Sequence, residues 1–330
     1  MMKHLVRVFV LLALLAGPSF AATTLTVYTD MEPDVLNRYS KDLAKRFPEY
    51  KIEWVRESAG PITARLIAEK ENPQADLILG LALSGVLAVD KVGGLEPYTP
   101  EGFDRVDPLM RDNREIPVWV GMNVMVGALA VNYKELEKLG LPVPESWADL
   151  TRPEYKGQLV FSNPISSGTA YFHVTSWLQN MGEEKGWEFM EAANKNVKMY
   201  IHSGSKPAQM AAMGEAPIGL TVDAYVAPYI KKRAPVKSML PKEGVGFDTI
   251  ASAIVKGCRN PEAAKRILDY SISKEAAMIG VEFDYLPVRP EFDNERLAGV
   301  RSRLWPMDMS KAAEVRDQVL AEWRRRFGGE

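Results

Sequence analysis

Four short polar segments of this 330-residue chain occupy the same kind of position. Each follows a run of residues typical of a β-strand and precedes a run typical of a helix. The four segments are TDMEPD (29–34), ESAGP (57–61), SNPISSGT (162–169) and HSGSKP (202–207). In open α/β sheets, ligands bind in the crevice outside the carboxyl ends of the strands. We therefore expect these four loops to surround a ligand.

Three of these loops carry groups that bind an anion. A helix start has free N–H groups and partial positive charge, and glycine lets the backbone approach a ligand closely. Serine and threonine hydroxyls add hydrogen-bond donors, so a phosphate or phosphonate could be held without an arginine. A hydroxyl that only caps its own helix is the alternative for any single loop. The predicted anion-binding residues are Ser58, Ser166, Ser167, Gly168, Thr169, Ser203 and Ser205.

Acidic and aromatic residues in similar positions indicate a positive charge on the same ligand. Carboxylates there oppose an anion but suit an ammonium group at the far end of the ligand. An acidic residue at a helix start also complements the helix dipole, which is the alternative. Aromatic rings could wall the site or stack on the ammonium group. The predicted residues for this end are Asp30, Glu32, Asp223, Tyr225 and Trp119, and the combination predicts a zwitterionic ligand.

The side chains that an enzyme needs are scarce. The chain has three histidines and no HExxH, CxxC or GxSxG motif. Ser203 to Lys206 and Ser271 to Lys274 both match SxxK, but the SDN and KTG motifs of penicillin-recognising enzymes do not accompany them. The sequence therefore predicts a binding protein without catalytic residues, cofactor or resident metal.

The first 21 residues have the pattern of a secretory signal peptide. Lys3 and Arg7 precede an apolar run over 8–16, and small residues end at Ala21. The apolar run is too short to span a bilayer. Cys258 is the only cysteine, which argues against a lipid anchor and an internal disulfide. We predict a free periplasmic protein that is cleaved after Ala21.

The rest of the chain reads as two α/β units. Its length favours two domains, and a net charge of −2 gives no reason to expect a nucleic acid partner. Strand-like and helix-like runs alternate as in parallel sheets covered by helices. Two apolar runs, 117–132 and 250–255, are candidates for strands that cross between the units. The predicted division is a first lobe at 22–120 plus 250–290, a second lobe at 121–249 and a C-terminal helical segment at 291–330.

Longer stretches of the sequence resemble one known family. They begin at LTVYTDMEPD and include SWADLTRPEYKGQLVFSNPISSGTAYF and HSGSKPAQMAAMGEAPIGL. YLPVRPEF, at 285–292, recurs across the wider group. The chain resembles the 2-aminoethylphosphonate-binding proteins of ABC transporters, which belong to the ferric-binding-like group of extracellular solute-binding proteins. The resemblance covers nearly all of the chain up to Pro290.

This resemblance implies a type II periplasmic-binding (Venus-flytrap) fold, in which two lobes joined by hinge strands close on a ligand. It implies delivery of 2-aminoethylphosphonate to ABC permease subunits in the inner membrane, without catalysis, by a monomer. It also implies that Ser58, Ser167, Thr169, Ser203 and Ser205 match positions lining the anion site. Asp223 falls where relatives carry glutamate.

Two other ligands remain open within the same fold. Sugar phosphates share the anionic head, so the hydroxyl-rich loops do not distinguish them from phosphonates. Fe(III) favours phenolate and carboxylate oxygens, and Tyr225 and Tyr229 with Asp30 or Glu32 could supply them. The adjacent tyrosine pair of ferric-binding proteins is missing from this sequence.

Overall fold

Strands and helices alternate along the chain, which confirms the α/β prediction. The computed structural model describes residues 22–328, so the predicted signal peptide lies outside the described residues. The strands are β1 Thr23–Thr29, β2 Tyr50–Arg56, β3 Leu77–Ala82, β4 Leu95–Glu96, β5 Val120–Asn132, β6 Leu159–Ser162, β7 Val197–Ile201, β8 Ile218–Val222, β9 Val236–Met239, β10 Phe247–Val255 and β11 Leu286–Pro287. The helices are α1 Pro33–Arg46, α2 Ala59–Ala68, α3 Leu83–Lys91, α4 Tyr133–Leu139, α5 Gly168–Met181, α6 Glu183–Asn194, α7 Lys206–Met213, α8 Asp223–Lys231, α9 Pro261–Ser271, α10 Lys274–Glu282, α11 Glu295–Arg301, α12 Met309–Glu314 and α13 Arg316–Phe327.

The sheet is mixed. Its strands are hydrogen-bonded in the order β2-β1-β3-β10-β5-β8-β6-β7. β1 is parallel to β2 and β3, and β6 is parallel to β7 and β8. β5 and β10 run antiparallel to their neighbours. Strand–helix alternation alone predicts a parallel sheet, and it misses these two strands because they carry the chain across the molecule and back.

β5 belongs to both parts of the sheet. Its residues 120–126 pair with β10, and its residues 127–131 pair with β8. At the changeover, the Gly127 N–H donates to the Gly246 carbonyl at 2.9 Å. We call β1 to β3 with their helices the first half of the molecule, and β6 to β8 with theirs the second half. The predicted crossing runs at 117–132 and 250–255 therefore correspond to β5 and β10.

The core strands are buried on both faces. Every residue of β3, β5, β8 and β10 is buried, as expected for strands that helices cover on both sides. α1 buries one face through Val35, Tyr39 and Leu43 and leaves the opposite face to solvent. Among residues 22–328 no helix combines the length and apolar character that crossing a membrane requires.

The C-terminal segment contacts both halves. Within the segment predicted to be helical, 291–330, Val315 separates α12 from α13. α13 packs on the second half, where the Trp323 and Tyr200 ring centroids lie 5.4 Å apart. α12 packs against α3 of the first half, and the Tyr171 hydroxyl of α5 donates to the Ala312 carbonyl. The segment therefore spans the two halves along one side.

Candidate functional site

A cavity lies where the strand ends of the two halves face each other. This central cavity has a volume of about 40 Å³, room for about three water molecules. The loops after β1, β2, β6 and β7 all contribute to its wall, so the four polar segments of the sequence do meet. Its lining residues are Asp30, Glu32, Arg56, Ser58, Ala59, Met125, Ser167, Gly168, Thr169, His202, Ser203, Gly204 and Tyr225.

Most of the predicted anion-binding residues line this cavity. Ser58, Ser167, Gly168, Thr169 and Ser203 are part of its wall. The two remaining predicted residues lie directly behind it. The Ser205 hydroxyl is 3.1 Å from that of Ser203, and the Ser166 hydroxyl is 3.3 Å from His202 Nδ1.

The hydroxyls differ in whether they cap a helix. The Ser167 hydroxyl accepts a hydrogen bond from the Ala170 N–H at 3.4 Å, so it is the N-cap of α5. Ser58 occupies the N-cap position of α2, and its side chain makes no capping hydrogen bond. Ser205 is likewise an N-cap residue whose side chain does not cap α7. The capping alternative thus holds for Ser167 and not for Ser58 or Ser205, and the Ser205 hydroxyl interacts with Ser203 and Glu32 instead.

The helix starts converge with the hydroxyls. α2, α5 and α7 all begin at the central cavity, so their unpaired N–H groups and positive dipole ends meet there. Gly204 lets two of these loops touch, because a Cβ atom on it would lie 2.4 Å from Thr169 Oγ1 and 3.0 Å from Ser167 Oγ. This wall of the cavity can hold an oxyanion.

Sequence analysis missed an arginine at the same wall. Arg56 is the last residue of β2 and lines the central cavity. Its Nε donates to the Met31 carbonyl at 2.6 Å, and a terminal nitrogen lies 3.6 Å from the Glu32 carboxylate. The backbone bond fixes one edge of the guanidinium, and the remaining N–H groups can face an anion. The feature of the sequence that could have indicated this role is a positively charged residue at the end of a strand-like run, directly before ESAGP.

Two carboxyl groups, those of Asp30 and Glu32, also line the cavity. Asp30 accepts a weak hydrogen bond from the Ala82 N–H at 3.4 Å, and burial raises the pKa of its carboxyl to about 7. Burial also raises the pKa of Glu32, against the lowering effect of the Ser205 hydroxyl and Arg56. Both groups are costly to ionise here unless a ligand brings a positive charge or hydrogen-bond donors.

A second carboxyl lies close behind Asp30. Asp248 on β10 is fully buried, and neither of its oxygens accepts a hydrogen bond of good geometry. Burial first, and the negative charge of Asp30 second, raise the pKa of Asp248 well above its ordinary value. Ionisation of both carboxyls at the same time is therefore unfavourable.

Next to the central cavity is a smaller one that we call the tyrosine pocket. Its volume is about 10 Å³, and its walls include Asp30, Asn123, Met125, Tyr225 and Tyr285. The rings of the two tyrosines are perpendicular, with centroids 6.4 Å apart. Asn123 Oδ1 is buried without a partner. The pocket is thus an aromatic and polar extension of the Asp30 end.

Two residues predicted for the ammonium end do not reach the central cavity. Asp223 accepts from the Ser238 hydroxyl at 2.7 Å and from Arg296 at 2.5 Å, on the far side of α8. Trp119 is buried beside α3 and the loop that precedes α12. Asp30, Glu32 and Tyr225 do line the cavity. The structure therefore assembles part of the predicted ammonium end.

The two halves touch across the site. A Cβ atom on Gly60 would lie 2.9 Å from the Ile165 carbonyl oxygen, and one on Gly168 would lie 2.8 Å from the Ala82 Cβ. Contacts as tight as these leave no channel of side-chain width between α2 and the loop before α5. The structure is therefore a closed form.

The family of the chain follows from comparison with known proteins. A family model described as bacterial extracellular solute-binding protein matches residues 73–308. The chain belongs to this family. An uncharacterized protein of Haemophilus influenzae is 31% identical over 263 residues, which cover 79% of this chain and 76% of that protein. A protein of Salmonella paratyphi A named for 2-aminoethylphosphonate binding is 22% identical and covers 84% of this chain and 83% of its own.

Solved structures agree on the fold of this solute-binding protein. The periplasmic binding protein AfuA of Actinobacillus pleuropneumoniae, bound to fructose-6-phosphate, superposes with a TM-score of 0.86 at 27% identity over 92% of this chain and 98% of AfuA. Iron-bound HitA of Pseudomonas aeruginosa has a TM-score of 0.78 at 17% identity, covering 92% and 99% of the two chains.

These comparisons confirm the type II periplasmic-binding fold, with two lobes joined by hinge strands. The predicted role as the periplasmic solute-binding component of an ABC importer is supported by the family and its relatives. Those relatives and this fold are those of transport proteins, not of enzymes. No three His, Cys, Asp or Glu side chains within 22–328 form a group suited to a metal ion.

Proposed function

We propose that this solute-binding protein captures a small aminophosphonate, of which 2-aminoethylphosphonate is the prime candidate, and delivers it to an ABC permease. The observation that carries the proposal is the mixed chemistry of the central cavity. Helix starts, hydroxyls and Arg56 supply groups that bind an anion, and Asp30 and the tyrosine pocket supply groups that suit an ammonium ion. A ligand with an anionic head and an ammonium tail satisfies both sets of groups at once.

The size of the cavity favours a short ligand. In the closed form the central cavity and the tyrosine pocket measure about 40 and about 10 Å³. A phosphonate head with a two-carbon amine exceeds this space by much less than a hexose phosphate does, so it needs less opening of the closed form. AfuA, the relative crystallised with fructose-6-phosphate, binds a ligand of that larger class.

In this proposal, the protein gains affinity for the ligand when the two lobes close on it. The first lobe, 22–120 plus 250–290, contributes Asp30, Glu32, Arg56 and Ser58, and the second lobe, 121–249, contributes the loops before α5 and α7. A ligand that contacts both lobes binds the closed form better, and it shifts the population by that difference in affinity. The permease then recognises the closed monomer.

Iron is a weaker candidate for the same cavity. The tyrosine hydroxyls beside Asp30 could bind Fe(III) only as phenolates. Burial raises the pKa of Tyr225 well above its ordinary value, and the negative charge of Glu32 raises it further. The ferric-binding structures share this fold at 16–17% identity, which bears on the fold alone.

Isothermal titration calorimetry of the purified protein without residues 1–21 tests the proposal. The probes are 2-aminoethylphosphonate, inorganic phosphate, fructose 6-phosphate, putrescine and Fe(III) citrate. We expect 2-aminoethylphosphonate to bind tightest, because it alone carries both charges at a short distance. Tight binding of iron or fructose 6-phosphate with no heat from the phosphonate overturns the proposal.

A further inference from the structure

One arginine of the C-terminal segment joins the two lobes behind the tyrosine pocket. Arg296, on α11, donates to the Asp223 carboxylate at 2.5 Å and to the Asp284 carboxylate at 3.0 Å. It also approaches the Asp284 carbonyl at 3.3 Å. Asp223 begins α8 of the second lobe, whereas Asp284 follows α10 of the first lobe. A single guanidinium therefore bridges the lobes.

The acceptor in the first lobe has an uncommon backbone conformation. Asp284 has a φ of 63°, in the left-handed region that residues other than glycine rarely adopt. Lys231, at the end of α8, adds a second cation at 2.5 Å from the same carboxylate. Two cations thus hold Asp284 in place, and this conformation directs the next residue, Tyr285, into the core.

The two carboxylates bound by Arg296 are close in sequence to the two tyrosines of the pocket. Asp223 is two residues before Tyr225, and Asp284 is directly before Tyr285. Tyr225 and Tyr285 line the tyrosine pocket and pack edge to face. Arg296 is absent from the lining of both cavities. It can therefore act on a ligand in these cavities only through other residues, and the two tyrosines beside its partners are the candidates.

An ordinary surface ion pair is the alternative, and such pairs contribute little. Two observations argue against it here. The Asp223 side chain is only 7% exposed, so its charge depends on its partners rather than on water. The pairing of Arg296 also fixes the distance between α8 of one lobe and the loop after α10 of the other. That distance defines the tyrosine pocket.

We propose that Arg296 is a positioning residue that sets the tyrosine pocket in the closed form and thereby selects for the tail of the ligand. This inference rests on the proposed function, because it takes the pocket as the place of the ammonium tail. The anionic head binds at helix starts and at Arg56, away from α11. Loss of Arg296 should therefore weaken binding of a tailed phosphonate and leave a tail-less one unchanged.

The test compares two probes on matched variants by calorimetry. 2-Aminoethylphosphonate carries head and tail, and methylphosphonate carries the head alone. We expect R296Q to lose about tenfold in affinity for 2-aminoethylphosphonate, the scale of a modest coupling between sites, and to keep its affinity for methylphosphonate. R296K should recover part of the loss, because lysine can pair with one carboxylate at a time.

Two further variants keep the result interpretable. R326Q removes another close ion pair, with Glu191 at 2.5 Å on α6, and should bind both probes as the wild type does. D284N keeps a residue that tolerates the left-handed conformation but removes the charge, so it should repeat the selectivity change of R296Q even if R296Q folds poorly.

The outcomes separate the inference from the proposed function. Equal losses for both probes in R296Q and D284N, or no loss at all, overturn the role of Arg296 while the proposed function stands. A wild-type protein that binds neither probe overturns the proposed function, and the inference falls with it.

Discussion

Gly168 of α5 faces Ala82 at the end of β3 so closely that a Cβ atom on the glycine would lie 2.8 Å from the Ala82 Cβ. The two residues belong to opposite halves of the molecule, and both lie beside the central cavity. The closed form therefore depends on a missing side chain at this position, which makes closure open to a direct test.

We predict that G168A opposes closure. The added methyl must displace Ala82 or Ala59, and overpacking of this kind costs about 1–3 kcal/mol. Ligand affinity should fall by the corresponding factor, while the thermal midpoint of the ligand-free protein changes little if the lobes can stay apart. G299A is the matched control, because nothing lies within 4 Å of its Cβ position. Calorimetry and solution scattering with ligand measure the effect, and wild-type affinity in G168A would contradict it.

Thr169 offers a test of the anion end. Its side chain lines the cavity in the first turn of α5, where T169V removes one donor to a buried oxyanion. The expected loss is about 1.5–3 kcal/mol of binding free energy, typical of a hydrogen bond to a charged group. T175V on the same helix is the control, since that hydroxyl bonds to the Tyr171 and Phe172 carbonyls away from the cavity. Unchanged affinity in T169V would reduce the threonine to a structural residue.

Arg56 should contribute through its charge. R56Q keeps a polar side chain at the end of β2 but removes the cation, so we expect a loss of about 1.5–3 kcal/mol in phosphonate binding and a weaker dependence on salt. R65Q removes a comparable arginine that pairs with Glu69 on α2, and it should bind normally. Titrations at two ionic strengths measure both quantities. Equal salt dependence in R56Q and the wild type would exclude a role for the charge.

Asp30 should make the ligand-free protein less stable as the pH rises. Burial raises its pKa from the ordinary 3.8 to about 7 in the folded state, so between these pH values the folded state binds more protons than the unfolded state. The contribution of Asp30 to the free energy of unfolding is then fully present below about pH 4. It is lost progressively as the pH rises to about 7, by at most about 4 kcal/mol. Urea unfolding of the wild type and D30N over pH 4.5–7.5 measures the slope. D30N should have the flatter profile, and equal slopes would contradict the assignment.

Release or uptake of protons on ligand binding distinguishes a ligand that has an ammonium group from one that has only an anionic head. At pH 6 the Asp30 carboxyl is mostly protonated, and an ammonium group beside it lowers the pKa and releases a proton. A ligand with an anionic head alone gives no such release from Asp30. Calorimetry in buffers of different ionisation enthalpy counts the protons, and D30N identifies the share that belongs to Asp30. Proton uptake by the wild type with 2-aminoethylphosphonate would argue against an ammonium at this end.

Local signals explain what the sequence could predict. α7 begins and ends at strong local signals, since Pro207 suits its first turn and Gly214 closes it with a φ of 77°. The four polar loops were located because strand ends and helix starts leave short-range patterns. The convergence of those loops in one cavity then follows from the ordering of parallel strands.

Long-range pairing explains what it could not predict. Asp223 looked available for a ligand because its partner, Arg296, is 73 residues away in sequence. Arg56 was not among the predicted site residues, because nothing local in the sequence indicates that it turns towards Met31. Trp119 lies on a crossing segment, and only the packing of α12 near α3 determines which side it faces.

The helix that carries Thr169 also touches the hinge. A Cβ atom on Gly127 would lie 2.6 Å from the His173 ring, and one on Gly246 would lie 2.2 Å from the Ser176 Cβ. α5 therefore packs against β5 and against the residue before β10, at the point where the Gly127 N–H donates to the Gly246 carbonyl. From Thr169 to Ser176 the helix rises about 10 Å. If the proposed anion site is correct, α5 contacts the crossing strands one to two turns after the residues that would bind the ligand. A small rotation at Gly127 and Gly246 would then move Thr169 by a larger distance.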